Sequence, residues 1–83
     1  MPTLAIVDDQ KNVRDVVTEF LTIDIPGLEV LSFSNARDFF NAIEQGAVVD
    51  VVLMDGNLHD GASGPEHTRT ISERYPFMYV IGF

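Results

Sequence analysis

The chain has 83 residues, thirteen acids against five bases, and a formal charge of −8. That balance speaks against nonspecific nucleic-acid binding, which needs a cationic face, and equally against docking on an anionic membrane. Apolar residues make up 46% of the chain, too many for a disordered segment and enough for one small domain with a marginal core. There is no cysteine, hence no disulfide framework and no thiolate metal site. No apolar run approaches the roughly 18 residues of a membrane span. The N-terminus lacks the basic-then-apolar pattern of a secretory signal, so a cytoplasmic protein is expected.

The first element is Thr3-Leu4-Ala5-Ile6-Val7, which runs into Asp8-Asp9. Its apolar residues are continuous rather than alternating, the pattern of a strand buried on both faces. Between Gln10 and Ile23, the residues Val13, Val16, Val17, Phe20 and Leu21 recur on one helical face. Asn12 or Asp9 is the candidate cap of this helix. Ile25-Pro26-Gly27 ends it, because proline cannot continue a helix and Pro-Gly favours a turn.

Leu28 to Phe33 predicts a second, shorter strand with weaker alternation. Ser34 or Asn35 then caps a second helix, whose apolar face is Ala36, Phe39, Phe40 and Ile43. Gly46 stops it. Val48 to Met54 is strongly β-branched and predicts a third strand ending in Asp55. Gly56 to Gly64 is a glycine-rich loop, and Pro65 suits the first position of a third helix. That helix runs to about Tyr75, with Ile71 as its core anchor. Pro76 breaks it, and Met78 to Ile81 begins a fourth strand.

Strict alternation of strands and helices predicts a parallel sheet with right-handed crossovers. If the first strand lies between the second and third, the chain reverses direction between the first and the third. Open α/β sheets bind ligands at such a reversal, outside the carboxyl ends of the strands. Asp8 and Asp9 end the first strand, and Asp55 ends the third. Aspartates often end strands merely because they begin loops and cap helices. Three of them at two strand ends, each behind an apolar run, shift the balance toward a site. Packed together without a cation they would repel one another and their pKa values would rise. Hard carboxylate oxygens of this kind suit Mg²⁺, which takes a few carboxylates, keeps several waters, and neutralises phosphoryl oxygens.

The sequence resembles the receiver domain of bacterial response regulators. The residues that carry the resemblance are Ala5-Ile6-Val7-Asp8-Asp9-Gln10, Asp50-Val51-Val52-Leu53-Met54-Asp55, and Gly64-Pro65-Glu66 behind its glycine-rich loop. The resemblance runs over the whole chain, residues 1–83, as a single domain. It implies a flavodoxin-like parallel sheet of strand order 2-1-3-4, ending before the family's fifth strand. It implies that Asp55 accepts a phosphoryl group from a sensor histidine kinase. It further implies that Asp9 binds Mg²⁺ directly, that Asp8 does so commonly through water, and that Asn57 gives a backbone carbonyl. On that reading the chain is a phosphoacceptor of two-component signalling and not a true enzyme.

Three departures from the family pattern stand out. His59 replaces a proline common four residues after the phosphoacceptor, and the loop before Gly64 is one residue longer. The sequence also corresponds to the N-terminal two-thirds of such a domain, so the family's switch Ser/Thr and active-site lysine have no counterpart in it, and phosphoryl transfer is expected to be impaired. Lys11, the only lysine, starts the first helix and does not replace it. One sheet face would then have only the first helix, and the fourth strand would be an open apolar edge. Self-association or element swapping through these surfaces is expected.

Other residues read more plainly. His59 and His67 are expected to be ordinary surface or loop histidines, Phe39 and Phe40 core, and Arg14, Arg37, Arg69 and Arg74 solvated on helix faces. The main alternative function is a non-catalytic interaction module acting by association. A phosphatase of the haloacid dehalogenase type ranks low, because the acid it needs two residues after the nucleophile is Asn57 here. A flavin-binding flavodoxin relative ranks lower, since Asp-Asp-Gln follows the first strand instead of a phosphate-cradling loop.

Overall fold

A computed structural model of the chain describes residues 2–56 and 64–82. Its elements are β1 (Thr3–Val7), α1 (Lys11–Asp24), β2 (Glu29–Phe33), α2 (Ala36–Glu44), β3 (Val51–Met54), α3 (Gly64–Arg74) and β4 (Tyr79–Gly82). The strands form one parallel sheet of order β2-β1-β3-β4. This is the flavodoxin-like α/β architecture the sequence predicts, with β1 and β3 adjacent at the reversal point.

β1 lies inside the sheet, beside β3, and like β3 it is apolar on both sides. Leu4, Ala5, Ile6 and Val7 are all buried. Ala5 and Val7 join Val52 and Met54 of β3, Ala36 and Phe39 of α2, and Ile71 of α3 in one cluster. Leu4 and Ile6 point to the opposite face, as strand alternation requires. A right-handed crossover puts α1 on that face, and α1 contributes nothing to the cluster. Phe39 is fully buried, with its ring 5.7 Å from that of Phe33 and 5.3 Å from that of Phe40.

The two faces are unequally covered. None of the residues of α1 is buried, and Phe20 of its apolar stripe is 66% exposed. On β4, Tyr79 and Ile81 are exposed, whereas Val80 packs against the α2–α3 core.

The turns follow from two glycines. Leu28 N–H donates to Ile25 O at 3.2 Å, closing Ile25-Pro26-Gly27-Leu28 with Gly27 at φ 87°. Proline followed by a positive-φ glycine is the sequence a type II turn asks for. Gly46, at φ 105°, ends α2. Its N–H donates to Ile43 O and Ala47 N–H to Ala42 O, both at 3.0 Å, the paired bonds of a Schellman cap. At the other end of α2, Asn35 accepts the Asp38 N–H at 2.8 Å, so Asn35 and not Ser34 is the cap.

Two local expectations need correction. The third strand starts at Val51, not Val48. The β-branched run extends further, but β1 begins at Thr3 and its first register pair with β3 is Leu4 with Val51. Residues before Asp50 therefore have no strand to pair with, and Val48 is exposed. The first helix is capped by neither Asn12 nor Asp9. Gln10 holds the cap position, and its side chain makes no capping bond.

An alanine at Gly46 would meet nothing within 4 Å, so any loss comes from the backbone angle alone. Gly46→Ala is expected to lower unfolding stability by about 1–2 kcal/mol, the strain of a left-handed L-residue. Urea denaturation checks this, and an unchanged midpoint would contradict it.

Candidate functional site

The register of β1 on β3 builds the site. Val7 pairs with Met54, so the next residues, Asp8 and Asp55, leave the two strands side by side. The Asp55 N–H donates to Val7 O at 3.0 Å, and the Asp8 N–H donates to Phe33 O at 3.1 Å. Both aspartates are thus tied to the sheet by their own backbone. Asp8, Asp9 and Asp55 each offer a carboxylate oxygen, and these oxygens lie within 4.8 Å of one another. The structure brings together the three acids that the sequence singles out.

Their environments differ. Asp8 is 3% exposed, Asp55 half-buried and Asp9 exposed. Burial pushes the Asp8 carboxyl above its usual range, and the charges of Asp55 and Asp9 push the same way. Two contacts oppose this. The Gln10 N–H donates to Asp8 Oδ1 at 2.8 Å, and the Arg14 guanidinium adds positive charge. Burial remains the largest influence. All three donors are hard oxygens at one sheet edge, a set that fits a small divalent cation such as Mg²⁺.

Asn57 and His59 lie outside the described residues. His67 does not sit at the surface as expected. It is 9% exposed on α3, with its ring 6.0 Å from that of Phe40. Ile71 stands four positions on and is fully buried, so the helical period puts both on the core face. That spacing was the available signal.

Arg14 is likewise not a plain solvated base. It is half-buried, and its Nη1 donates to the Asp8 carbonyl oxygen at 2.7 Å. Its only signal in the sequence is position, one turn into the helix that follows the two acids. The neighbouring Lys11 instead pairs with Asp15 at 2.7 Å, both well exposed.

A family model of the response regulator receiver domain matches residues 4–83. Among solved structures, the chain is similar to a response regulator receiver domain protein of Clostridium thermocellum. That match has 28% identity and a TM-score of 0.83, covering 99% of this chain and 64% of that one. It is also similar to the response regulator TrrA of Thermotoga maritima in complex with Mg²⁺-BeF. Here identity is 25% and the TM-score 0.82, over 96% of this chain and 66% of that one. TrrA in complex with the histidine kinase ThkA matches at 25% identity and TM-score 0.80, over 99% and 67%. The chain thus spans about two-thirds of the length of these structures. No curated sequence matches.

The raised Asp8 pKa has a consequence for stability in metal-free buffer. The folded state holds the Asp8 proton more tightly than the unfolded state, so stability falls as pH rises through the window between the two pKa values. The penalty is complete above the raised folded value and absent below the ordinary aspartate value of 3.8. Asp8→Asn keeps an oxygen for the Gln10 N–H and removes the charge. It is expected to be more stable than the parent at neutral pH in EDTA, with the advantage vanishing below about pH 3.8. Thermal unfolding against pH checks this. A less stable Asn variant at neutral pH would contradict it.

Proposed function

Because the chain belongs to the response regulator receiver domain family of two-component signalling, we propose that it accepts a phosphoryl group on Asp55 from a sensor histidine kinase, with Mg²⁺ held by Asp8, Asp9, Asp55 and the backbone carbonyl of Asn57. The observation that carries this reading is the convergence of three carboxylates within 4.8 Å at the β1–β3 reversal. Two facts about a similar protein support it. TrrA has been solved with Mg²⁺-BeF and with the histidine kinase ThkA.

The chemistry asked of this chain is modest. An Asp55 oxygen attacks phosphorus in line, a P–O bond forms, and the P–N bond to the donor imidazole breaks. The imidazole leaves with a proton, and Asp55 becomes an acyl phosphate. Bound Mg²⁺ supplies neutralisation of the phosphoryl oxygens. The chain's own residues position the reacting group. The Asp55 backbone is pinned to Val7, and the Asp8 carboxylate is held by the Gln10 N–H. The protein acts on itself and turns over no separate substrate.

A small-molecule phosphodonor with Mg²⁺ is expected to add one phosphoryl group, located on Asp55 by mass spectrometry and labile to hydroxylamine. Asp55→Asn and EDTA are each expected to abolish the addition. Addition that persists in Asp55→Asn, or that ignores EDTA, would overturn the proposal.

A second reading has its own observation. Val16, Phe20 and Ile23 on α1 and Tyr79 and Ile81 on β4 are exposed large apolar residues, and such surface favours association between chains. On this reading the chain works as an interaction module through self-association. Light scattering is then expected to show mass rising with concentration, unchanged in Asp55→Asn. A monodisperse monomer over a wide concentration range would contradict it.

A further inference from the structure

The Asp8-Asp9-Gln10 turn carries two of the three carboxylates, yet it has no ordinary helix cap. α1 starts at Lys11 with no capping side chain and no acid in its first turn. β1 gives this turn its last sheet bonds at the Asp8 N–H and the Val7 carbonyl. The next backbone acceptor is the Asp8 carbonyl, which lies past the last register pair of β1. A carbonyl at that point needs a donor once the ladder ends. Arg14 supplies it. Its Nη1 reaches back over the turn to Asp8 O at 2.7 Å in a partly buried setting. The Arg14 backbone is fixed in turn, since its N–H donates to Gln10 O at 3.2 Å.

We propose that Arg14 is a positioning residue for the acidic pocket. It clamps the Asp8–Asp9 peptide from the carbonyl side, while the Gln10 N–H holds the Asp8 carboxylate from the other. With both ties made, the direction in which Asp9 leaves the strand is set before any cation arrives. Arginine suits this task better than lysine. Its planar guanidinium is always charged, stays ordered when partly buried, and loses little freedom per bond formed. Outer-sphere groups of this kind govern metal affinity by orienting the ligands.

The same guanidinium also repels a divalent cation, so the clamp and the charge act in opposite directions on affinity. Salt shifts the balance between them. High salt weakens the repulsion, less for a half-buried guanidinium than for an exposed one, and leaves the hydrogen-bonded geometry in place. The response at high salt is therefore weighted toward the clamp.

The affinity half of this inference rests on the Mg²⁺ reading of the acidic pocket; the clamp itself does not. The test uses Arg14→Met and Arg14→Lys in the labelled full chain. In metal-free buffer, amide hydrogen exchange of Gln10 is expected to speed up about tenfold in Arg14→Met, with the β1 amides unchanged. In a high-salt Mg²⁺ titration, Arg14→Met is expected to bind roughly tenfold or more weakly than the parent. Arg14→Lys keeps charge and a donor but not the planar fork, and is expected to fall between them. Should Arg14→Met fail to fold, Arg14→Lys alone decides by both readouts. Unchanged Gln10 exchange, or high-salt Mg²⁺ affinity equal to or above the parent's, overturns the proposal. If the parent does not bind Mg²⁺ at all, the metal reading fails, and Gln10 exchange still decides the clamp.

Discussion

Parallel pairing of β1 with β3, in the register that sets Val7 beside Met54, is the constraint on which the rest of the molecule depends. It requires β1 to be apolar on both faces, because helices cover a parallel sheet from both sides. It requires β2 to lie on the far side of β1, so that the chain crosses back over β1 to reach β3. It delivers Asp8 and Asp55 to adjacent strand ends, with Asp9 one residue on. A shift of one residue in that register would separate the carboxylates and turn the inward set of β3, Val52 and Met54, out of the core.

Bringing like charges together opposes folding, and the fold offsets this in three ways. The Gln10 N–H and the Arg14 guanidinium offer positive potential to Asp8. Asp9 stays exposed, where water screens it. Apolar burial of Phe39, Ile71, Val52 and Met54 on the α2–α3 face supplies stability that the pocket does not. These devices leave the Asp8 carboxyl still pushed up by burial. A divalent cation held there, as proposed, would offset the repulsion among the three carboxylates. No helix among the described residues is long and apolar enough to cross a membrane.

Most of the fold was legible because its signals are local. The continuous run Thr3–Val7, the stripe on α1, a cap for α2 at Ser34 or Asn35 and the glycines at 27 and 46 each act within a few residues. The three aspartates were legible because strand ends are easy to place when the preceding run is apolar. What escaped depends on partners distant in sequence. The start of β3 is set by where β1 begins, not by β-branching at Val48 and Val49. His67 is the exception, since its four-residue spacing from the buried Ile71 was a local signal of the core face. The role of Arg14 depends on the path of the turn ahead of its own helix, which no spacing rule reports. Asn57 and His59 fall outside the described residues, so their expected roles stand as proposals.

The most direct test of the central claim, that these three carboxylates share one cation, is a two-dimensional amide NMR titration with Mg²⁺. The chain has no tryptophan, so a simple fluorescence readout does not apply. A dispersed spectrum in which the amides of Asp8, Asp9 and Asp55 shift together along one saturating curve is the predicted result. A dispersed spectrum that Mg²⁺ leaves unmoved, or shifts confined to residues away from the β1–β3 edge, would contradict it.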